Sequence, residues 1–139
     1  MVLRHVTVYH HQSSRFAAYT PGDELIEVMS HYRDLPACTE PEQVAAWVFH
    51  ILNADLVTLE HARANAGGES GFLLACTYRL LGLRPLSVGD VAAVTVEDRT
   101  TWLACEPFGW RPIDTPAVVS RQPLTAEAVY QRLRQGRDA

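Results

Sequence analysis

The sequence predicts an α+β protein: a small, largely antiparallel sheet of about four or five strands with about three helices packed on it. Three stretches carry that prediction. Residues 2–11, "VLRHVTVYHH", alternate in the period of a strand. Val44, Trp47, Val48, Ile51 and Leu52 recur in the period of a core-facing helix. Residues 84–114 read as turn, apolar run, polar break, apolar run and aromatic close, the pattern of a hairpin core.

The chain has 139 residues, a one-domain length, so a single α+β domain over 1–139 is expected. With 47% hydrophobic and 20% charged residues it can bury a core. The formal charge of −4 argues against general nucleic-acid binding, which needs a strong basic footprint. All 12 basic residues are arginine, and the shortage of Lys beside plentiful Ala and Val fits GC-rich coding rather than a phosphate-binding surface. Cys38, Cys76 and Cys105 are widely spaced and form no C-x-x-C, so free thiols in a reducing compartment are expected. No stretch approaches the roughly 20 apolar residues of a membrane span, and the N-terminus lacks the apolar core of a signal peptide. The expectation is a soluble cytoplasmic protein.

In the first strand Val2, Arg4, Val6 and Val8 share one face, and Leu3, His5, Thr7 and Tyr9 the other. Pro21-Gly22-Asp23 is a turn at the end of a loop. "ELIEVMSHYRD" fits a helix through Leu25, Ile26, Met29 and Tyr32, or a strand through Ile26 and Val28; the preceding turn and short apolar run favour the strand. Thr39 and Glu42 spell a capping box at the start of the first helix, and Asn53 is a plausible stop. "SGFLLACTYRLLG" predicts a second helix with Leu73, Leu74, Thr77, Leu80 and Leu81 inward and Gly82 ending it; the segment before it, "DLVTLEHARANAGGES", has no clear periodicity.

Ser87-Val88-Gly89-Asp90 is a turn in which Gly89 can take positive φ and the polar side chains can bond local amides. "VAAVTV" is a strand coverable on both faces, Glu97–Thr100 the connection, and "TWLACEPF" its partner. Pro107 loosens the pairing, Gly109 lets the chain bend, and "WRPI" forms a short further strand. "DTPAVVSRQP" reads as linker, and about 125–135 as a terminal helix with Thr125 as N-cap and Leu124 stapled to Val129.

Catalytic constellations are scarce. "GGESGF" misplaces Gly71 for a nucleophile elbow at Ser70, and no histidine follows it. No phosphate-cradling glycine motif occurs. The six histidines His5, His10, His11, His31, His50 and His61 lack metal-ligand spacing, so no metal and no cofactor is expected. Asp90 and Glu106 could approach across the hairpin and, with Tyr78, form a polar pocket; each also has a structural job, Asp90 at its turn and Glu106 as an edge guard. Phe108, Trp110 and Arg111 combine the residue types that dominate interface energies, while Trp102 is expected in the core.

Leu86, Ser87, Val88, Gly89, Asp90 and Val91, followed by Glu106, Phe108, Gly109 and Trp110, resemble a small actinobacterial protein family with a Leu-Ser-Val-Gly-Asp-Val hairpin motif. More distantly they resemble the YodL-like domain of mobile elements. The resemblance covers residues 76–113 and extends weakly to "AAWVFHILNAD" and "YTPGDELIEV". Glu106 stands where the YodL-like pattern has Asp, and Pro107 follows it. The resemblance implies a fold and a setting among plasmid, phage and integrative-element accessory genes. It implies no catalytic residues.

Three readings follow. The first is a non-catalytic interaction module that binds a protein partner or itself through Phe108, Trp110 and Arg111. The second is a small-ligand binder or minor enzyme using Tyr78, Asp90 and Glu106. The third is a nucleic-acid adaptor using Arg121, Arg132, Arg134 and Arg137. Ser87, Gly89, Asp90 and Gly109 are expected to act as turn residues.

Overall fold

In the computed structural model, which describes residues 1–12, 17–121 and 134, β1 (Val2–His11) lies inside the sheet rather than at its margin. The remaining strands are β2 (Leu25–Leu35), β3 (Val91–Val96), β4 (Arg99–Cys105), β5 (Trp110–Ile113) and β6 (Val119–Arg121), in the order β5-β4-β3-β1-β2-β6. All neighbours are antiparallel except β2 and β6. The protein is therefore α+β, with six strands where four or five were expected. The added strand, β6, lies in the stretch read as linker. It is three exposed residues with no alternating pattern, joined to β2 by backbone pairing from Leu25 to Glu27. The ambiguous segment at 25–35 is a strand.

The helices are α1 (Pro41–Asn53), α2 (Leu56–His61) and α3 (Gly68–Leu80). The chain divides into two compact units, with one division falling between Trp47 and Val48: one unit holds the sheet, the other residues Val48–Pro85. The terminal helix expected at about 125–135, with Thr125, Leu124 and Val129, falls outside the described residues apart from Arg134, which is helical.

In the sheet unit, Val6, Val8, Ala92, Val94 and Leu103 are buried along one face. They share it by register: Val6 pairs with Val94, Val8 with Ala92, and Ala92 with Leu103. On the other face Tyr9, Tyr19, Leu25, Val91, Ala93 and Ala104 form a cluster, with Trp102 and Ile113 packed against it. The expectation of a strand covered on both sides holds for Val91–Val94. Arg4 breaks the apolar series of β1 yet is only 2% exposed. Its guanidinium donates to the carbonyls of Val2, Leu35, Pro36 and Thr39, so it staples the exit of β2 to the approach of α1. The neighbouring Arg33 lies over the Trp47 ring at 3.5 Å.

The start of α1 is one residue later than Thr39 suggested. Glu40 is the cap, Pro41 occupies the first helical position, and the Gln43 side chain accepts the Glu40 N–H at 2.8 Å. Thr39 instead donates its N–H to Pro36.

In the second unit, α2 fills the segment that lacked periodicity; the Asp55 side chain caps it. Gly68 has no room for a Cβ, which would meet the Ala62 carbonyl oxygen at 1.9 Å, and this close approach joins α2 to α3. Leu73 and Leu80 are exposed rather than inward, while Gly71, Ala75 and Tyr78 are buried. The small residues Gly71 and Ala75 set the buried line, so the helix turns away from the face its leucines suggest. Gly82 ends α3 as expected: at φ 72° its N–H reaches Arg79 and that of Leu83 reaches Tyr78, a Schellman closure.

Candidate functional site

The Ser87–Asp90 turn is built around its acid. Asp90 is 0% exposed. One carboxylate oxygen accepts the N–H of His11 and the other that of Ser87, each at 2.8 Å. Its own N–H returns to the Ser87 carbonyl at 3.0 Å. Gly89 stands at φ 96°, and a Cβ there would lie 2.3 Å from the Ala17 carbonyl oxygen. Both features demand glycine. Cys105 completes the junction, donating its N–H to the Asp90 carbonyl and accepting from Gly89.

Of the groups expected to form a polar pocket, Asp90 and Glu106 belong to the sheet unit and Tyr78 to the other. The Tyr78 hydroxyl bonds the Arg84 carbonyl within the second unit. Asp90 serves backbone amides. Glu106 pairs with Arg111, Oε1 to Nε, at 2.7 Å. Both acids lie near Cys105, whose thiol is pushed up to about 11, first by burial and then by Asp90 and Glu106. A thiol so held is protonated at neutral pH and is a poor nucleophile.

The β4–β5 hairpin turns through Glu106-Pro107-Phe108-Gly109, closed by the Glu106 N–H on the Gly109 carbonyl at 3.0 Å, with Gly109 at φ 90°. Phe108 is 99% exposed at the tip. Arg111 braces the hairpin: besides its Nε bond to Glu106, its Nη2 donates to the Tyr19 carbonyl at 2.8 Å. Trp110 and Arg111 do not form one patch with each other. Trp110 pairs with Cys105, and Arg111 with Ala104, so the pleat sends them to opposite faces. Trp102 lies against the core cluster and contacts Tyr9, with ring centroids 5.3 Å apart.

Edge protection at β5 falls to Pro112 rather than Glu106. Cys105 uses its backbone groups on β3's side, so the Cys105–Trp110 pair is not directly bonded. By alternation neither is Leu103–Pro112, and the Pro112 nitrogen faces the open edge, where it offers no donor.

Two features lay outside sequence reasoning. The buried His11 bonds Asp23 through Nε2 at 2.8 Å. That bond comes first, ahead of the Thr20 amide, in holding the Asp23 carboxyl below its ordinary range. The Pro21-Gly22-Asp23 turn was legible; its link to β1 was not. Beside it, Tyr19, Pro21, Arg111, Ile113, Asp114 and Ala117 line an open cleft of about 360 Å³. The signal was only a proline-rich polar stretch on either side.

His31 on β2 is a different case. Neither ring nitrogen has a hydrogen-bond partner among the described residues. Its ring lies 6.2 Å from that of Trp47. Burial, followed by the charges of Arg33 and His5, takes the imidazole down to about 4.

Among the described residues no group of three or more His, Cys, Asp or Glu is arranged to hold a metal, and no helix is long and apolar enough to cross a membrane. Of the arginines proposed for nucleic acid, Arg121 pairs with Glu27 at 2.8 Å; Arg132 and Arg137 lie outside the described residues. The fold and site thus define a small α+β protein with a braced aromatic hairpin tip. No protein-family model matches the chain, and no curated protein or solved structure matches it.

Proposed function

We propose that this chain is a non-catalytic protein–protein interaction module that presents Phe108 to a protein partner or to a second copy of itself. The observation that carries this reading is a fully exposed phenylalanine on a braced turn. Large aromatic anchors dominate interface energies, and a tip already fixed in place loses little conformational freedom on binding. Trp110 serves one flank of the tip and Arg111 the other. The engagement of Asp90 and Glu106 in backbone and ion-pair contacts favours this reading over an enzyme built on them. The resemblance of residues 86–91 and 106–110 to the actinobacterial family and the YodL-like domain extends the proposal to a setting: a cytoplasmic accessory protein of a plasmid, phage or integrative element.

The test uses tagged wild type, Phe108→Ala and Trp110→Ala as bait in nuclease-treated host lysate, with light scattering on each purified protein. A stoichiometric partner, or a self-associated state, that is present in wild type and lost in Phe108→Ala supports the module. Contacts untouched by both substitutions sink this placement of the surface.

A further inference from the structure

We propose that the cleft beside β5 binds a small zwitterion, of the size and chemistry of an α-amino acid with an apolar side chain. The cleft shares Arg111 with the Phe108 tip and none of the tip's other residues. Its volume of about 360 Å³ lies at the small end of ligand pockets. Its walls are hydrocarbon from Pro21, Pro112, Ile113 and Ala117. Besides Thr115, three polar groups interrupt them.

The first is Arg111. Its guanidinium is fixed at Nε by Glu106 and at Nη2 by the Tyr19 carbonyl, which leaves Nη1 without a partner among the described residues. A donor held in place on two sides meets a carboxylate with little left to order. The second is Asp114, an exposed acid three residues further on, with no hydrogen-bond or ion-pair partner among the described residues. It is an acceptor for an ammonium group. The third is the Tyr19 phenol, kept protonated by burial first and by Asp23 next, against the opposing pull of Arg111.

Charge chooses the ligand class. A phosphate dianion would meet one arginine, already half neutralised by Glu106, and would be repelled by Asp114. A simple cation would be repelled by Arg111. A molecule with one carboxylate, one ammonium and an apolar body satisfies both signs and the walls together.

The experiment is a backbone-amide NMR titration of the full chain with free leucine and free phenylalanine, beside their N-acetyl and carboxamide derivatives. The proposal expects shifts at Tyr19, Gly22, Ile113 and Thr115 with the free amino acids. Blocking either charged group should weaken binding by about tenfold or more, the worth of one charged hydrogen bond. Asp114→Asn should reproduce the N-acetyl penalty, and Ala117→Trp should abolish the shifts by filling the cleft, both with otherwise native spectra. If the blocked compounds bind as well as the free ones, the cleft is an apolar crevice only and the proposal fails. It fails equally if no free amino acid moves the cleft amides of the folded wild type.

Discussion

Asp90 holds the end of β1 in place by accepting the backbone N–H of His11 at 2.8 Å, across 79 positions of sequence. The same carboxylate accepts the Ser87 N–H, so one buried acid fixes both the turn before β3 and the register at which β1 meets it. Removing it takes the side-chain acceptor from one buried and one part-buried amide. Asp90→Ala is expected to cost roughly 2–5 kcal/mol and Asp90→Asn less, since the amide oxygen keeps one bond. Urea denaturation measures both. Equal midpoints for wild type and Asp90→Ala would refute the structural role.

Arg4 should be as intolerant. Its guanidinium reaches four carbonyls at the β2–α1 junction, a fork that a lysine cannot reproduce. Arg4→Lys and Arg4→Met are both expected to lower stability, by on the order of 2–4 kcal/mol. A lysine variant as stable as wild type would show that charge alone, rather than the planar fork, serves the junction.

Stability should fall in mild acid because of His31. Its imidazole is buried and neutral, lowered from 6.5 to about 4. The folded state therefore binds fewer protons than the unfolded one between those values. The contribution is whole above pH 6.5 and is lost as pH falls toward 4, up to roughly 3 kcal/mol. Asp23, whose carboxyl is lowered by His11 and then Thr20, adds loss in the same direction only further down, below the ordinary 3.8. Urea midpoints at several pH values should show this slope, and His31→Leu should flatten its upper part. A His31→Leu profile that overlays wild type between pH 6.5 and 4 would contradict it.

Thiol reactivity should divide by burial. Cys105 is buried and raised to about 11, whereas Cys38 is exposed. Iodoacetamide at neutral pH is expected to label Cys38 and leave Cys105 unmodified until the protein unfolds. Peptide mass spectrometry reads the order directly; early labelling of Cys105 would count against the arrangement around Asp90.

Phe108→Ala should be nearly silent in stability, within about 0.5 kcal/mol, because its side chain touches solvent alone. Thermal unfolding checks it. A marked loss would place Phe108 in a packing role and remove it from the proposed interface.

Legibility followed locality. The β1 alternation, the β3–β4–β5 run and the Gly82 helix end each depend on neighbours a few residues away, and each was readable. So was the Ser87–Asp90 turn. The His11 bond to Asp90 was not, because a carboxylate in a turn carries no mark of the distant amide it will meet. β6 was hidden because pairing of backbone to backbone needs no side-chain period. Leu73 and Leu80 misled for the opposite reason: their apolar character suggested a face, but the buried line of the helix runs through Gly71, Ala75 and Tyr78. At the hairpin, Phe108, Trp110 and Arg111 are adjacent in sequence, and the pleat separates what composition grouped.

The position of β1 has a consequence for how the molecule assembles. It is synthesised before the other strands of this sheet, and β2 follows soon enough to pair with it as a hairpin. β3, β4 and β5 likewise form a meander from close neighbours. The seam between these two halves is β1 against β3, where Tyr9 meets Val91 and Arg4 meets Val96. Until the later strands leave the ribosome, one side of β1 has no partner in the sheet. Closing that seam requires ends far apart in sequence to find each other, the kind of step that slows folding. Nascent chains stalled before β3 should therefore expose a long, valine-rich strand edge, and chaperone engagement would be concentrated in that interval of synthesis.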